Sequence, residues 1–209
     1  MPRCTRVTPL GEFVDRGRGL VFGNRGCLHD AGGELRRPFR GKRWIACRLD
    51  VGGRRRELLQ PGRYTELFFL DEATAFAAGH RPCRACRRRD YEVFVTLWRE
   101  LHPGDERGAD AVDARLHDER IDPSSRRQRH VTAPFEALPE GAFVVAGGKP
   151  FLVLAETLLR WTPEGYAEGL PRPSGGEAEV VTPPSLLRVL AAGWAPEVPL
   201  VHPSAVAVA

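Results

Sequence analysis

The strongest chemical signal in this sequence is a pair of cysteines, Cys83 and Cys86, separated by two residues. At this spacing two thiolates can bind one metal ion from a single tight turn, and thiolates are preferred ligands of a closed tetrahedral zinc site. A thioredoxin-like redox pair has the same spacing, but it belongs to a strand–helix–strand pattern that the flanking residues lack. We therefore interpret the pair as half of a zinc site.

A tetrahedral zinc ion needs two further ligands, and Cys47 is the predicted third. The fourth is Cys27 or His29, which lie two residues apart and therefore share one side of a regular strand. Thiolate and imidazole both bind zinc, so the chemistry of the residues leaves both open. We predict the four-thiolate set Cys27, Cys47, Cys83 and Cys86, with His29 as the alternative fourth ligand.

Two helices are predicted on either side of the cysteine pair. Residues 71–78 form a short helix, with Asp71 as its N-cap and Gly79 as the glycine that ends it. Residues 87–101 carry apolar side chains at helical spacing, which predicts a longer amphipathic helix. Pro82 keeps the link between the two out of helical conformation.

Three stretches upstream of the helices predict strands. They are residues 19–29, 43–49 and 64–70, of which the last is the richest in aromatic residues. We therefore expect residues 1–102 to form a small three-stranded sheet with helices around a zinc site.

The second half of the chain has a different composition and predicts a separate unit. Residues 103–133 are expected to be a linker with a short helix, and residues 134–209 a small β-rich module with one helix. Gly147-Gly148 predicts a hairpin inside that module. The fold class is therefore α+β. The module shows no set of nucleophile, base and acid, so the sequence assigns it no reaction.

The run from Phe68 to Cys86 resembles the N-terminal metal-binding domain of the Ada DNA-repair family. That domain has an aromatic strand, a helix that ends in Ala-Ala-Gly and then an Arg-Pro-Cys-x-x-Cys signature. The segment Ile45–Arg48 resembles its earlier strand, in which a methyl-accepting cysteine precedes an arginine. The resemblance spans about residues 19–90 and implies a zinc-binding fold.

Two details of this resemblance concern the fourth ligand. The Ada domain has a second cysteine a few residues after the acceptor, where this chain has Leu49, Asp50 and Val51. The segment Phe22-Gly23-Asn24-Arg25 together with His29 resembles Ada-like modules found beside nucleases. The resemblance therefore implies His29 as the fourth ligand, and the absence of one thiolate makes methyl transfer less favourable.

Positive charge is concentrated in the first half of the chain. Residues 1–102 contain 21 Lys+Arg against 12 Asp+Glu, whereas residues 103–209 contain 10 against 15. Nearly all of the basic residues are arginines, whose fork geometry suits phosphate groups. This asymmetry predicts a nucleic acid partner, which we take to be DNA. The predicted phosphate contacts are two clusters: Arg54, Arg55, Arg56 and Arg87, Arg88, Arg89.

These observations predict a zinc-binding protein that contacts DNA through its arginine-rich half. The resemblance implies an alternative, a DNA-repair protein that accepts methyl groups from methylated DNA phosphates on Cys47. A further alternative is a zinc-stabilised scaffold with a protein partner. The sequence shows no export signal and no run of 18 apolar residues. We therefore expect a cytoplasmic protein without a membrane span, whose cysteines are ligands rather than disulfides.

Overall fold

Two six-stranded sheets form the framework in residues 4–50 and 57–208, the part of the chain that the computed structural model describes. The strands of the first sheet are β1 (Arg6–Val7), β2 (Phe13–Val14), β3 (Val21–Asn24), β4 (Ile45–Arg48), β5 (Leu67–Phe69) and β6 (Arg81–Pro82). The strands of the second sheet are β7 (Val131–Pro134), β8 (Phe143–Ala146), β9 (Lys149–Leu154), β10 (Thr157–Thr162), β11 (Gly165–Pro171) and β12 (Glu177–Val180). Their spatial orders are β2-β1-β5-β3-β4-β6 and β11-β10-β9-β8-β12-β7.

Helices connect and cover these sheets, so the chain has the predicted mixture of helix and strand. They are α1 (Glu72–Ala77), α2 (Arg88–Leu101), α3 (Ala109–Arg120), α4 (Pro184–Ala191) and α5 (Ser204–Val208), with a short 3-10 turn at Phe135–Ala137. Within the described ranges, no helix has the length and apolar character needed to cross a bilayer.

The first sheet is larger than the sequence predicts. The three expected strands are β3, β4 and β5, and they lie together at its centre in the order β5-β3-β4. The prediction of a three-stranded sheet is wrong because β1, β2 and β6 extend it to six. Each of these three is only two residues long, which is too short to show the alternating pattern by which a strand is recognised.

The second sheet is likewise more extensive than the predicted β-rich module. Strands β8 and β9 form the expected hairpin around Gly147-Gly148, where both glycines have the positive φ angles that such a tight turn requires. The one helix expected in this module, with Pro184 at its N-terminus, is α4. The flanking strands β7 and β11 and the terminal helix α5 were not predicted, so the description of this part as a small module with one helix is corrected.

Helix α1 lies at the centre of the packing, and all six of its residues are buried. On one side, Ala73 and Ala77 belong to a core that contains Phe143 and Trp161 of the second sheet. On the other side, Phe76 packs in a core that α2, α3 and α4 share. A six-residue helix is too short to be stable alone, so this burial on both sides is what maintains it.

The predicted boundaries at residues 103 and 133 do not coincide with a break in this packing. Helix α3 lies in the expected linker, yet its Val112 and Leu116 are buried in the same core as Phe94 of α2 and Val189 of α4. Most of a short helix's stability comes from such tertiary contacts. Residues 109–120 are therefore part of the packed structure rather than a connection across solvent.

A single buried carboxylate joins α1 to the second sheet. Asp71 is the N-cap of α1, as predicted, and its Oδ1 accepts hydrogen bonds from the backbone N–H and the hydroxyl of Thr74 at 2.8 and 2.7 Å. Its Oδ2 accepts from the Tyr166 hydroxyl at 2.7 Å and from the His202 backbone N–H at 2.8 Å. Burial raises the pKa of Asp71, and these donated hydrogen bonds oppose that effect.

Replacing Tyr166 by phenylalanine tests whether this link stabilises both halves together. Tyr166→Phe removes one donor from a buried carboxylate, so we expect the free energy of unfolding to fall by about 1–3 kcal/mol. Urea unfolding, followed by far-UV circular dichroism and tryptophan fluorescence, should show one transition that shifts in both signals. Tyr91→Phe, at a partly exposed position of α2, is the matched control. Two separate transitions, of which only one shifts, would contradict the shared core.

Candidate metal centre

The register of the first sheet brings Cys47 to the cysteine pair. Strand β6 runs parallel to β4, with Ile45 opposite Arg81 and Ala46 opposite Pro82. The next residue of each strand is a cysteine, and the Cys83 N–H donates to the Ala46 carbonyl at 2.9 Å. A pairing between segments 36 residues apart in sequence thus places Cys47 beside Cys83.

The turn after β6 brings in the second cysteine of the pair. The backbone N–H of Arg87 donates to the Cys83 carbonyl at 3.0 Å, which closes the turn, and α2 begins at the next residue. Cys83 is 7% exposed, Cys47 is 6% exposed and Cys86 is half-buried. The cluster therefore lies just below the surface, with Cys86 nearest to solvent.

The donor atoms fit a thiolate-bound metal ion. The sulfurs of Cys47, Cys83 and Cys86 all lie within 4.8 Å of one another. A zinc–sulfur bond of about 2.3 Å in tetrahedral geometry places two sulfurs about 3.8 Å apart, which this cluster accommodates. Backbone N–H groups of Ala85 and Cys86 also donate to the Cys83 sulfur, and the N–H of Arg48 donates to Cys86. Such donors stabilise negative sulfur and orient the ligands.

The three thiols also influence each other's ionisation. Hydrogen bonds from Cys47 and Cys86 lower the pKa of Cys83 well below that of a free thiol. The pKa of Cys47 is raised by its hydrogen bonds to Cys83 and Cys86 and by burial. The cluster alone therefore favours one negative charge rather than three. A bound divalent cation would allow all three thiols to ionise.

Cys27 and His29 do not belong to this cluster, which corrects the predicted four-ligand set. In the pairing of β3 with β4, Cys47 lies opposite Phe22, whereas Cys27 follows the far end of β3. The Cys27 thiol donates instead to the His29 carbonyl at 3.7 Å. The His29 ring is held by the Thr65 hydroxyl at 2.6 Å and the Gln60 carbonyl at 3.2 Å, so both of its nitrogens are engaged.

Neither Cys27 nor His29 therefore supplies the fourth ligand. Within residues 4–50 and 57–208, no other His, Cys, Asp or Glu atom lies within 4.8 Å of all three sulfurs. The remaining residues are Met, Pro, Arg, Val, Gly and Ala, so none is of those four types. A tetrahedral metal held here keeps one position for a ligand from outside this set, an arrangement typical of reactive rather than closed structural sites.

Arg87 is buried in an ion pair, so its predicted contact with a phosphate is wrong. Its side chain is fully buried, and the two terminal nitrogens of its guanidinium donate to the two carboxylate oxygens of Glu72 at 2.6 and 2.9 Å. The Nε atom donates to Asp90 at 2.8 Å. The i,i+3 spacing of Arg87 and Asp90 is a local signal for this pair, but only tertiary structure reveals Glu72.

Four other arginines near the cysteines are exposed. Arg48 follows Cys47 directly, Arg84 lies between the paired cysteines, and Arg88 and Arg89 begin α2. Arg88 pairs with Glu92 at 2.9 Å, and Arg48 and Arg89 approach Glu197 at 2.9 and 3.7 Å. Surface pairs of this kind contribute little to stability, so these guanidiniums remain accessible to another anion.

The second predicted cluster, Arg54, Arg55 and Arg56, lies outside the described residues. Its contact with phosphates therefore stays a prediction from the sequence.

Comparison of the chain with protein-family models, with curated proteins and with solved structures gives no match. The resemblance to the Ada-type domain thus rests on the sequence motif, and the function it implies remains a proposal.

Cobalt(II) titration tests the ligand set. We expect about one equivalent to bind per chain, with the sulfur-to-cobalt charge-transfer absorption of three thiolates. Cys86→Ser should lower that absorption by one thiolate and weaken binding, because it removes the most accessible ligand without opening the core. Cys27→Ser and Cys4→Ser are matched controls with the same chemical change. A decrease of intensity in Cys27→Ser would restore the four-thiolate set.

Proposed function

We propose that this chain is a zinc-binding protein that contacts the phosphate backbone of DNA with the arginines around its three-cysteine site. The observation that carries the proposal is their arrangement. Four exposed arginines, Arg48, Arg84, Arg88 and Arg89, lie within three residues of a clustered cysteine. A metal ion that fixes the turn therefore also fixes the position of these guanidiniums.

Zinc is the metal that we assign to the site. A set of three thiolates selects soft or borderline metals over magnesium or calcium. Two of the thiolates come from one Cys-x-x-Cys turn, as in many structural zinc sites. All five cysteines are free thiols. The proposal therefore includes a reducing compartment, the cytoplasm, in which such ligands persist.

The expected contact with DNA is electrostatic rather than sequence-specific. Guanidinium groups bind phosphates in bidentate geometry, and such contacts position a protein on the duplex without reading its bases. Helix α2 presents Arg88 and Arg89 from its first turn. We therefore expect weak sequence preference and a strong dependence on salt concentration.

The double variant Arg88→Ala/Arg89→Ala tests this surface. Affinity for a short DNA duplex should fall, and the slope of log K against log salt should flatten by about 0.9 for each phosphate that the variant no longer neutralises. Arg99→Ala/Arg107→Ala is the matched control, because it removes the same charge from exposed positions away from the cysteines. The triple alanine variant of Arg54, Arg55 and Arg56 tests the second cluster in the same assay.

The metal content of the same preparation separates the two parts of the proposal. Elemental analysis should find about one zinc per chain. A different metal in that ratio would overturn the zinc assignment. Zinc-loaded protein that binds neither duplex nor single strands at low salt would overturn the DNA contact and favour the scaffold with a protein partner.

A second candidate is the acceptance of a methyl group from a DNA methyl phosphotriester. The observation that favours it is that Arg48, the residue after Cys47, is exposed, so that its guanidinium could bind a DNA phosphate near this site. The Cys47 thiolate would attack the methyl carbon, the carbon–oxygen bond would break, and the repaired phosphodiester would leave as an anion. A site with three thiolates carries less negative charge than one with four, so Cys47 is a weaker nucleophile here. We therefore place this function second.

Mass spectrometry after incubation with methyl phosphotriester DNA tests this reaction. Under our first proposal the peptide that contains Cys47 stays unmodified while zinc remains bound. A single added methyl group on that peptide, absent in Cys47→Ser and still present in Cys27→Ser, would show instead that the protein is a repair acceptor.

A further inference from the structure

Two buried arginines lie against the indole ring of Trp44, away from the cysteine cluster. The guanidinium carbon of Arg25 lies 4.8 Å from the centre of the ring, and that of Arg120 lies 4.0 Å from it. Arg25 is 2% exposed and Arg120 is 1% exposed. Because both guanidiniums lie near the same ring, two positive charges are close together inside the protein.

No carboxylate among the described residues forms an ion pair with either guanidinium. Arg25 donates to the Gly11 carbonyl at 2.7 Å. Arg120 donates to the carbonyls of Gly79 and Lys42 at 2.6 and 2.5 Å. The Nε atoms of both arginines are buried without a partner. Backbone carbonyls accept these hydrogen bonds. The carboxylates of Asp113 and Asp118 oppose the lowering of the Arg120 pKa through space, but within the described residues no carboxylate forms an ion pair with Arg25 or Arg120.

The other two buried arginines among the described residues, Arg81 and Arg87, each form an ion pair with a carboxylate. Arg81 pairs with Asp113 at 2.7 Å, and Arg87 pairs with Glu72 at 2.6 Å. Both are bidentate pairs, which provide full neutralisation. A buried charge without such a partner is strongly unfavourable. Arg25 and Arg120 therefore lack the direct carboxylate pair that Arg81 and Arg87 have.

Burial lowers the pKa of both Arg25 and Arg120 to about 9, so both still carry their charge at neutral pH. The nearby His80 does not offset that charge. Its ring lies against Trp44, both of its nitrogens are buried without partners, and burial together with the two arginines lowers its pKa well below the usual value. This region is thus a positive centre with a neutral histidine beside it.

A cavity of about 810 Å³ opens onto this centre and gives it access to a ligand. Arg25 and Arg120 line it together with the rings of Phe13, Phe39 and Trp44. Arg126 and Arg127 also line it, and Glu12 is its one carboxylate within the described residues. The volume is in the range of pockets that enclose small molecules rather than single ions.

Gln128 adds a hydrogen-bond acceptor to the wall of this cavity. Its Nε2 donates to the carbonyls of Pro9 and Ala77 at 3.1 and 2.7 Å, which fixes the orientation of the amide. Its Oε1 is then buried without a donor. The cavity therefore offers positive charge, aromatic surface and an acceptor for an N–H or O–H group.

We propose that this cavity binds a nucleotide, with its phosphate bound by Arg25 and Arg120 and its base against the aromatic wall. A phosphomonoester dianion matches two guanidiniums in charge, whereas a carboxylate would neutralise only one. Aromatic rings bind nucleobases by stacking, and the Gln128 oxygen can accept from an amino group of a base. None of the three clustered cysteines lines the cavity, so this site is independent of the metal centre.

Isothermal titration calorimetry with adenosine 5′-monophosphate tests the site, with adenosine and inorganic phosphate as partial ligands. The nucleotide should bind at least about tenfold more tightly than either part, because only the whole molecule engages both the arginines and the rings. Inorganic phosphate that binds as tightly as the nucleotide would overturn the role of the rings. Adenosine that binds as tightly would overturn the role of the arginines.

Variants at the mouth of the cavity keep the test independent of folding. Arg127→Ala removes an exposed arginine of the wall and should weaken nucleotide binding several-fold. Arg129→Ala, two residues later and also exposed, is the matched control because Arg129 does not line this cavity. If both variants lose nucleotide affinity equally, the loss comes from general surface charge, and the proposal is overturned. Arg120→Met, checked for folding by circular dichroism, should weaken binding about tenfold or more.

The same phosphate chemistry occurs on a free nucleotide and on the 5′ end of a nucleic acid strand. A dinucleotide with a 5′-phosphate distinguishes them. If it binds as tightly as the mononucleotide, and its 5′-hydroxyl counterpart does not, the natural ligand is a strand end. If only the mononucleotide binds, the natural ligand is a free nucleotide. Failure of both ligands to bind would overturn this proposal, while the DNA contact around the cysteines would stand or fall by its own variants.

Discussion

The buried guanidinium of Arg87 is the interaction on which the geometry of the cysteine turn depends. It follows the turn directly and reaches Glu72 on α1 and Asp90 on α2. Asp90 in turn accepts the backbone N–H of Glu197 at 3.0 Å, which ties in the C-terminal segment. Arg87 and Asp90 together thus connect α1, α2 and the C-terminal segment next to the cysteine turn. Removing one member of such a buried pair leaves an uncompensated charge, which typically destabilises by about 3–5 kcal/mol.

Strand β4 and the residue before it connect this cluster to the second site. Cys47 lies on the strand and Trp44 precedes it, and the Trp44 carbonyl accepts the N–H of Arg81 at 3.1 Å. Three residues along an extended chain place side chains on opposite faces. The same short segment therefore presents a sulfur ligand on one face and, on the other, the aromatic ring against which two arginines lie. A change in its pairing register would displace both sites together.

Three pairs of arginines among the described residues have different environments, and each environment implies a different role. Arg81 and Arg87 are buried against carboxylates and stabilise the packing of helices. A second pair is exposed beside the cysteines, where its members can exchange a weak surface partner for a phosphate: Arg88 and Arg89. A third pair is buried without a carboxylate partner among the described residues: Arg25 and Arg120. Composition alone treats all of these as positive charge, although only some of them can meet an external anion.

Features that depend on neighbouring residues were determined by the sequence alone. The N-cap at Asp71, the left-handed Gly79 and the central strands β3, β4 and β5 all follow from local conformational preference and alternating polarity. The tight spacing of Cys83 and Cys86 likewise predicts a shared ligand site from backbone geometry.

Tertiary structure decided which distant residues join these local features. The parallel pairing of β6 with β4 selects Cys47 and leaves Cys27 and His29 outside the cluster. Nothing near Arg87 in sequence indicates Glu72, and nothing near Arg25 indicates that its charge is buried without a carboxylate. The physical reason is that desolvation and pairing of a charge depend on every group that folding brings around it. Sequence identifies the charge, and only the folded chain determines whether that charge is neutralised inside the protein or left for a ligand.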